Sequence, residues 1–459
     1  MESLISSQIF YALTTILIVI AIANMLMQRK RPKSIISWIL VIVTIPYFGV
    51  LLYYIFHGRK MKNILSSLRE INIKNICCEK KSFDFELERF ISKESSNFAT
   101  YNSKFFICED AKVSYKSLLD LIDSAKESIY ISTYILGKDE YVKEIISHIA
   151  NRAKDGVEVK LLIDAVGSQS LELNPKILKP LKEAGGEYKF FMSILKKPLK
   201  SKLNLRNHRK MIIVDHTKVM SGGINISKEY FDPKDGWVDL SFVIEGAASF
   251  EYEQLFLHNW HMQSDFEFDY DRYKDLEIGS GKSIIHVVPS GPDMDNDLLY
   301  ESILLAIYSA KKSIYIVSAY FSPEDSIMEA LIVAQHRGID IKVISPKSSD
   351  HLFVDIARDA FLRELENEGV KIYLYNKTML HAKAILIDDS YAFVGSANFD
   401  TRSLFYNFEI VSVIYSKEDI MALKRWINKR IDESCFGLED ASKPRVLLEN
   451  FFKIFSPAF

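Results

Sequence analysis

The sequence predicts an α/β fold of two duplicated domains packed about a pseudo-two-fold axis, behind an N-terminal pair of membrane-spanning helices. Three observations carry this expectation. Two long stretches near the N-terminus are free of charge. A strand–helix–strand pattern occurs twice in the remainder. The same histidine, lysine and aspartate pattern closes each occurrence.

The N-terminal stretches are hidden by average composition. The 459 residues carry 58 Lys+Arg against 60 Asp+Glu, with 48% hydrophobic residues. That balance excludes a generic basic nucleic-acid binder, and four cysteines exclude a disulfide scaffold. Yet residues 1–57 contain only Glu2, Arg29, Lys30, Arg31 and Lys33 as charges, so the head is +3 and the rest −5. Residues 3–28 and 34–57 carry no charge, and roughly 20 apolar residues span a ~30 Å hydrocarbon core. The QRKRPK connection allows only a turn, which makes the helices antiparallel. Pro46 and Gly49 permit a kink, and Trp38, Tyr47, Tyr53 and Tyr54 suit the interfaces. Glu2 and the lack of Lys or Arg before the first run argue against a cleaved signal peptide. Residues 1–60 are therefore read as an anchor in the cell membrane. Four cations in the connection nearly balance Arg59, Lys60, Lys62, Arg69 and Lys74 in the positive-inside count. Adjacent Cys77 and Cys78, with Cys108 and Cys435 far away in sequence, read as free thiols and lean towards a cytoplasmic body.

Residues 61–100 are polar and weakly patterned, a linker with some helix. Domain 1 is read over 101–278 and domain 2 over 279–459, with the boundary in the Gly/Ser/Pro/Asp-rich stretch 279–297. LIDSAKESIYISTYIL from Leu121 is repeated as AIYSAKKSIYIVSAYF from Ala306. Each copy leads through a helix to a Gly-led strand, at Gly156 and Gly338, and then to a third pair, EAGGEYKFF and NEGVKIYLY. Such alternation implies two α/β domains, each with a mostly parallel or mixed sheet.

Each half then carries one constellation. His208, Lys210 and Asp215 are followed after six residues by Gly222 and Asn225; His381, Lys383 and Asp388 by Gly395 and Asn398. Both fit HxKxxxxD, six residues, then G[GS]xN. The MIIV and AILI runs between lysine and aspartate read as strands, so each His and Lys face the same side. One such pattern is weak; two copies at identical spacing are not accidental. Lysine neutralises phosphoryl oxygens. Neutral histidine attacks phosphorus or takes a proton, and protonated histidine gives one. Two histidines on opposite sides of one phosphorus make a nucleophile and an acid/base pair, with two Lys and two Asn stabilising charge and no metal or other cofactor required. Asp215 and Asp388, at strand ends, serve the chemistry or fix the turn.

On these motifs the chain resembles the phospholipase D superfamily. With the hairpin SWILVIVTIPYFGVLLYYIFHGRK, the tail RVLLENFFKIFSPAF and the double-Gly first motif, it resembles more closely the bacterial cardiolipin synthases of that type. The resemblance implies both motifs in one cleft between pseudo-symmetric domains. It implies His208 as nucleophile and His381 as general acid/base, an order the symmetry allows to be reversed. It also implies a supporting acid further along each histidine's own motif: Asp239 for the first copy and Glu409 for the second.

Substrate is argued from context. KKPLKSKLNLRNHRK, up to Lys210, holds seven cations and no acid, a local patch for anionic lipid. The terminal VLLENFFKIF is amphipathic. The expected reaction is phosphatidyl transfer between two phosphatidylglycerols, giving cardiolipin and glycerol, with phosphatidylethanolamine the competing donor and no nucleic acid partner. A membrane-anchored phospholipase D or nuclease with the same residues is the alternative. The duplication completes a site in one chain and leaves the oligomeric state open.

Overall fold

Ile129 and Ile131 point to one side of their strand and Tyr130 to the other, and both sides are buried. Covering on both faces marks a strand inside a layered α/β sheet. The fold is that of a computed structural model, which describes residues 2–27, 32–45, 47–50, 53, 85–95, 97–193, 204–262, 268, 273, 281–294 and 296–456. It separates into an N-terminal unit and a body.

In the N-terminal unit, helices Glu2–Met27 and Pro32–Thr44 follow the two uncharged runs. Ala21, Met25, Ile42, Val50 and Tyr53 form a small core. The Tyr53 hydroxyl donates to Asn24 Oδ1 at 3.1 Å. Outside that core Ile16, Val19, Ile20, Leu26, Ile36, Leu40, Val43 and Phe48 are exposed. Among the described residues, no helix is long and apolar enough to cross a membrane. The end of the second run with Tyr54, the connection 28–31, Pro46, and Cys77 and Cys78 lie outside the described residues.

The body repeats one arrangement twice. The first half has β1 (Thr100–Cys108), β2 (Ser128–Thr133), β3 (Glu158–Asp164), β4 (Glu187–Phe191), β5 (Met211–Val214), β6 (Lys218–Gly222) and β7 (Ser241–Gly246). The second has β8 (Ser283–Ser290), β9 (Ser313–Val317), the short β10 (Phe321–Ser322), β11 (Asp340–Pro346), β12 (Lys371–Tyr375), β13 (Ala384–Ile387), β14 (Tyr391–Gly395), the short β15 (Phe399–Asp400), β16 (Glu409–Ile414) and β17 (Ser434–Phe436). Strand order is β1-β7-β6-β5-β2-β3-β4 in one half and β8-β16-β14-β13-β9-β11-β12-β17 in the other. β2, β3 and β4 are parallel, as are β9, β11 and β12; the other pairs of these strand orders are antiparallel, so each half is mixed, while β10 and β15 pair in parallel as a separate two-stranded ribbon. Antiparallel pairing of β1 with β8, Thr100 opposite Ile285, joins both halves into one 15-stranded sheet.

One face of this sheet is covered across both halves by helices Ser249–Trp260 and Lys417–Asp432. The other face carries separate cores, one under Ala111–Asp123 and Glu140–Lys154 and one under Leu298–Ser309, Asp325–His336 and Leu352–Asn367. Residues 85–95 and 97–99, part of the stretch expected as linker, belong to the body. Helix Glu86–Glu94 buries Leu87 and Ile91 in the second half's core, and Phe85 stacks on Tyr415 at 4.8 Å. Leu87, Phe90 and Ile91 stand at helical spacing i, i+3 and i+4, so this short amphipathic helix is legible in the sequence, whereas the core it joins is not.

Candidate active site

β5 and β13 are four apolar residues each, and the polar motif residues stand just before them. His208 and Lys210 continue the side of Ile212 and Val214; His381 and Lys383 continue the side of Ile385 and Ile387. All four are buried.

Two short parallel bridges bring the halves together: Asn207 opposite Phe408, and Val238 opposite Leu380. The His208 N–H donates to Phe408 O at 2.9 Å, and the His381 N–H to Val238 O at 2.7 Å. One residue further on, each histidine meets an acid of the other half. His208 Nδ1 lies 2.8 and 3.0 Å from the Glu409 carboxylate oxygens, and His381 Nδ1 lies 2.7 Å from Asp239 Oδ2. This corrects the expectation that each acid supports the histidine of its own motif. The cause is the register of the bridges, a long-range pairing that spacing within one motif does not encode. With Nδ1 donating to a carboxylate, each Nε2 keeps the lone pair.

The two pairs differ electrostatically. Burial pushes the Glu409 carboxyl up, but His208, Lys210 and the Ser396 hydroxyl, which donates to Glu409 Oε2, leave it below its ordinary range. The matching residue in the first half is Gly223, where a Cβ would stand 2.1 Å from Asp239 Oδ1. Among the described residues Asp239 therefore has no hydroxyl partner, and burial pushes its carboxyl up to about 7 despite Lys383 and its own Leu240 N–H. Burial also lowers His208, with Glu409 opposing, and lowers His381 further, reinforced by Lys383 and Lys210. Lys210 is brought down to about 7 and Lys383 to about 8, in both cases chiefly by burial. Lys210 Nζ donates to His208 O at 3.0 Å. Lys383 Nζ lies 2.8 Å from His381 Nδ1 and 3.0 Å from Nε2.

Aromatic rings wall the cluster. Tyr134 packs edge-on against His208 at 5.2 Å; Tyr230, Trp237 and Tyr320 surround His381 at 5.3 to 6.1 Å. For Tyr134 and Tyr320 the signal in the sequence was the tyrosine that follows each repeated strand, in ISTY and VSAY; Tyr230 and Trp237 had no such signal. Arg209 was also missed as a functional residue. It is fully buried, its guanidinium pairing with Asp293 at 2.8 and 3.0 Å and donating to Ser290 O and Glu409 O. It thereby ties the His208 segment to the strand that presents Glu409.

Asp215 and Asp388 stand apart from this cluster, which corrects the expectation that they share in the chemistry. They lie beyond β5 and β13, with φ of 48° and 54°. Asp215 accepts from the backbone N–H groups of Lys126, Glu127 and Ser128 at 2.8 to 3.1 Å, and Asp388 from Lys311, Lys312 and Ser313 at 2.6 to 2.7 Å. Each carboxylate fastens the loop entering the repeated strand β2 or β9. Asp388→Ala is expected to lose about 2 kcal/mol of stability while the folded protein keeps its kcat, read by thermal inactivation beside single-turnover kinetics. A hundredfold fall in kcat would return the aspartate to the chemistry.

The asparagines are also buried. Asn225 donates to the Tyr230 hydroxyl at 2.7 Å and accepts from the Ile135 N–H at 3.2 Å, so it organises the His381 wall. Asn398 borders the same small pocket as Lys383, and its Oδ1 has no hydrogen-bond partner among the described residues. Within the basic run, Lys196, Lys197, Lys200 and Lys202 lie outside the described residues. Arg206, Arg209 and Lys210 are buried and add nothing to a surface patch, because the first packs towards Asp164 at 3.6 Å and the others serve the site.

Residues 118–260 and 303–431 match the family described as cardiolipin synthase, PLD-like domain. Residues 16–57 match the family described as phospholipase D-nuclease N-terminal. The chain is 33% identical to cardiolipin synthase of Clostridium perfringens, covering 93% of this chain and 91% of that one. It is 30% identical to cardiolipin synthase 1 of Bacillus anthracis, covering 94% and 90%. Among solved structures, phosphatidylserine synthase of Haemophilus influenzae shares the fold, with a TM-score of 0.61 at 15% identity over 82% of this chain and all of that one. The chain belongs to the cardiolipin synthase family of the phospholipase D superfamily.

Proposed function

We propose that the enzyme transfers a phosphatidyl group from one phosphatidylglycerol to another through a phosphohistidine on His208. The observation that carries this is the crossed, unequal pair of histidine–acid contacts. Glu409 stays ionised and holds the Nδ1 proton of His208, leaving Nε2 free to attack phosphorus. Asp239 and His381 together hold one proton beyond the imidazole's own N–H, and a phosphodiester anion beside His381 draws it onto Nε2. In the first step the His208 Nε2–phosphorus bond forms and the phosphorus–glycerol oxygen bond breaks. His381 gives its proton to the departing oxygen. In the second step the terminal hydroxyl of another phosphatidylglycerol loses its proton to His381, its oxygen bonds phosphorus, and the nitrogen–phosphorus bond breaks. One phosphodiester replaces another, so the reaction is close to isoenergetic. Cardiolipin incubated with labelled glycerol is therefore expected to yield labelled phosphatidylglycerol; its absence, with forward turnover intact, would remove the reversible phosphohistidine route.

Lys210 and Lys383 supply positive charge to the phosphoryl oxygens. Their lowered pKa values set the sign of a pH effect: both are charged below, and neutral above, about 7 and about 8. Tungstate, a phosphate mimic, is expected to inhibit more weakly as pH rises from 6.5 to 9, by up to about tenfold per unit for each proton lost. Lys383→Met should flatten the rise. A pH-independent inhibition constant would deny the lysines this role.

The N-terminal unit is proposed as a two-helix membrane anchor, with the body on the cytoplasmic side. Support comes from the two uncharged runs, the ring of exposed Ile, Leu, Val and Phe around a small core, and the N-terminal family match.

A further inference from the structure

Tyr134 and Tyr320 stand beside the two histidines, but the charges near them differ. On the His208 side the acid is Asp164, which is fully buried. It accepts from the Val166, Gly167 and Asn207 N–H groups at 2.8 to 3.0 Å and has Arg206 at 3.6 Å. Burial and then Asp164 push the Tyr134 hydroxyl up, and Arg402 and Arg206 oppose them.

On the His381 side the acid is Asp350, in the loop after β11. Its Oδ1 accepts from the Tyr320 hydroxyl at 2.7 Å, and the Tyr320 ring lies 6.1 Å from that of His381. Its Oδ2 lies 3.4 Å from Nε2 of the exposed His351, and the Asp350 side chain is itself 34% exposed. Burial, with Lys383, Lys210 and His208, lowers His381, and Asp350 opposes them. The same charge opposes the burial that lowers Lys383 and adds to the burial that raises Tyr230.

Other groups hold the loop. The Ser349 N–H donates to Asp355 Oδ2 at 2.8 Å and the His351 N–H to Ser349 Oγ at 3.1 Å. Arg358 donates to Pro346 O at 2.6 Å and to Lys347 O at 3.3 Å. The Asp350 carboxylate takes no part in these bonds. A carboxylate near the imidazole repels a phosphodiester and offers only acceptors, so it fits the part of the substrate that carries hydrogen-bond donors. At His381 that part is the alcohol, a glycerol with further hydroxyls. Lys383, 2.8 Å from His381 Nδ1, and Lys210 disfavour a cationic headgroup at the same place.

We propose that Asp350, oriented by Tyr320, accepts hydrogen bonds from the free hydroxyls of the headgroup alcohol at His381 and so selects a polyol. The proposal deepens the phosphatidyl-transfer reading and rests on its assignment of His381 to the alcohol oxygen.

The test uses the full chain and short-chain, monomerically dispersed phosphatidylglycerol, phosphatidylpropanol and phosphatidylethanolamine, with kcat/KM for headgroup release. Phosphatidylpropanol presents the same linking oxygen with no further hydroxyl. The ratio of phosphatidylglycerol to phosphatidylpropanol is expected to fall about tenfold to a hundredfold in Asp350→Ala, the loss of a hydrogen bond to a charged acceptor. Tyr320→Phe keeps the carboxylate without its orienting hydroxyl and should move the ratio the same way, by about threefold. An unchanged ratio in Asp350→Ala overturns the proposal; both rates falling together is what a structural role produces. A larger loss on phosphatidylethanolamine than on phosphatidylglycerol overturns it as well, since the carboxylate would then hold an ammonium. If the parent chain passes the phosphatidyl group only to water, the transfer reading fails while the ratio still decides Asp350. If it releases no headgroup from any of these lipids, both fall.

Discussion

His208→Ala is expected to lower turnover of phosphatidylglycerol by at least about 10⁴-fold, and adding His381→Ala is expected to cost little more. The reason is that the histidines act as a unit. Without His208 no phosphohistidine forms; without His381 the glycerol oxygen leaves as an unprotonated alkoxide. Either loss closes the same path, so the effects do not multiply. Their buried positions beside Lys210 and Lys383 make the histidines chemically central, yet each side chain is small enough to be truncated without unfolding the sheet. Circular dichroism and retained tungstate binding separate lost chemistry from lost structure. Full activity in either single variant would remove the two-histidine mechanism.

The second large effect concerns the crossed acids. Glu409→Gln is expected to lower turnover about 10³-fold, between the loss from an outer hydrogen-bond partner and that from a triad carboxylate. The amide keeps the shape but no longer fixes the Nδ1 proton or balances Lys210. The crossing adds a signature that general damage would lack. Imidazole nitrogen resonances should change at His208 in Glu409→Gln and at His381 in Asp239→Asn, each leaving the other histidine nearly unmoved. Ser396→Ala should act in the same direction as Glu409→Gln and more weakly. A His381 change dominating in Glu409→Gln would mean that the acids serve their own halves.

These two results mark what was legible in the sequence. The duplicated halves, the strands MIIV and AILI, and the shared facing of His and Lys all follow from local periodicity and a repeat, so they could be read directly. Glu409 and Asp239 were recognised as supporting acids but given to the wrong partners. Which histidine each supports is set by the bridges Asn207–Phe408 and Val238–Leu380, between residues some 140 to 200 positions apart. Asp215 and Asp388 look catalytic because they recur at fixed spacing. They recur because each half must fasten the same loop, and a repeated fold preserves structural residues as faithfully as chemical ones. Arg209 was read as surface charge, since nothing local signals that Asp293, on the loop after β8, would bury it. The joining of both halves into one sheet likewise depends on β1 meeting β8, a contact between edges that composition does not record.

The most direct measurement is product analysis with purified enzyme in vesicles of phosphatidylglycerol labelled in the headgroup glycerol and in an acyl chain. The two-histidine transfer predicts one free glycerol for each cardiolipin formed, with cardiolipin keeping a single labelled headgroup glycerol as its bridge. Phosphatidic acid and glycerol without cardiolipin would contradict it, and would mean that water, not a second lipid, takes the phosphatidyl group from His208.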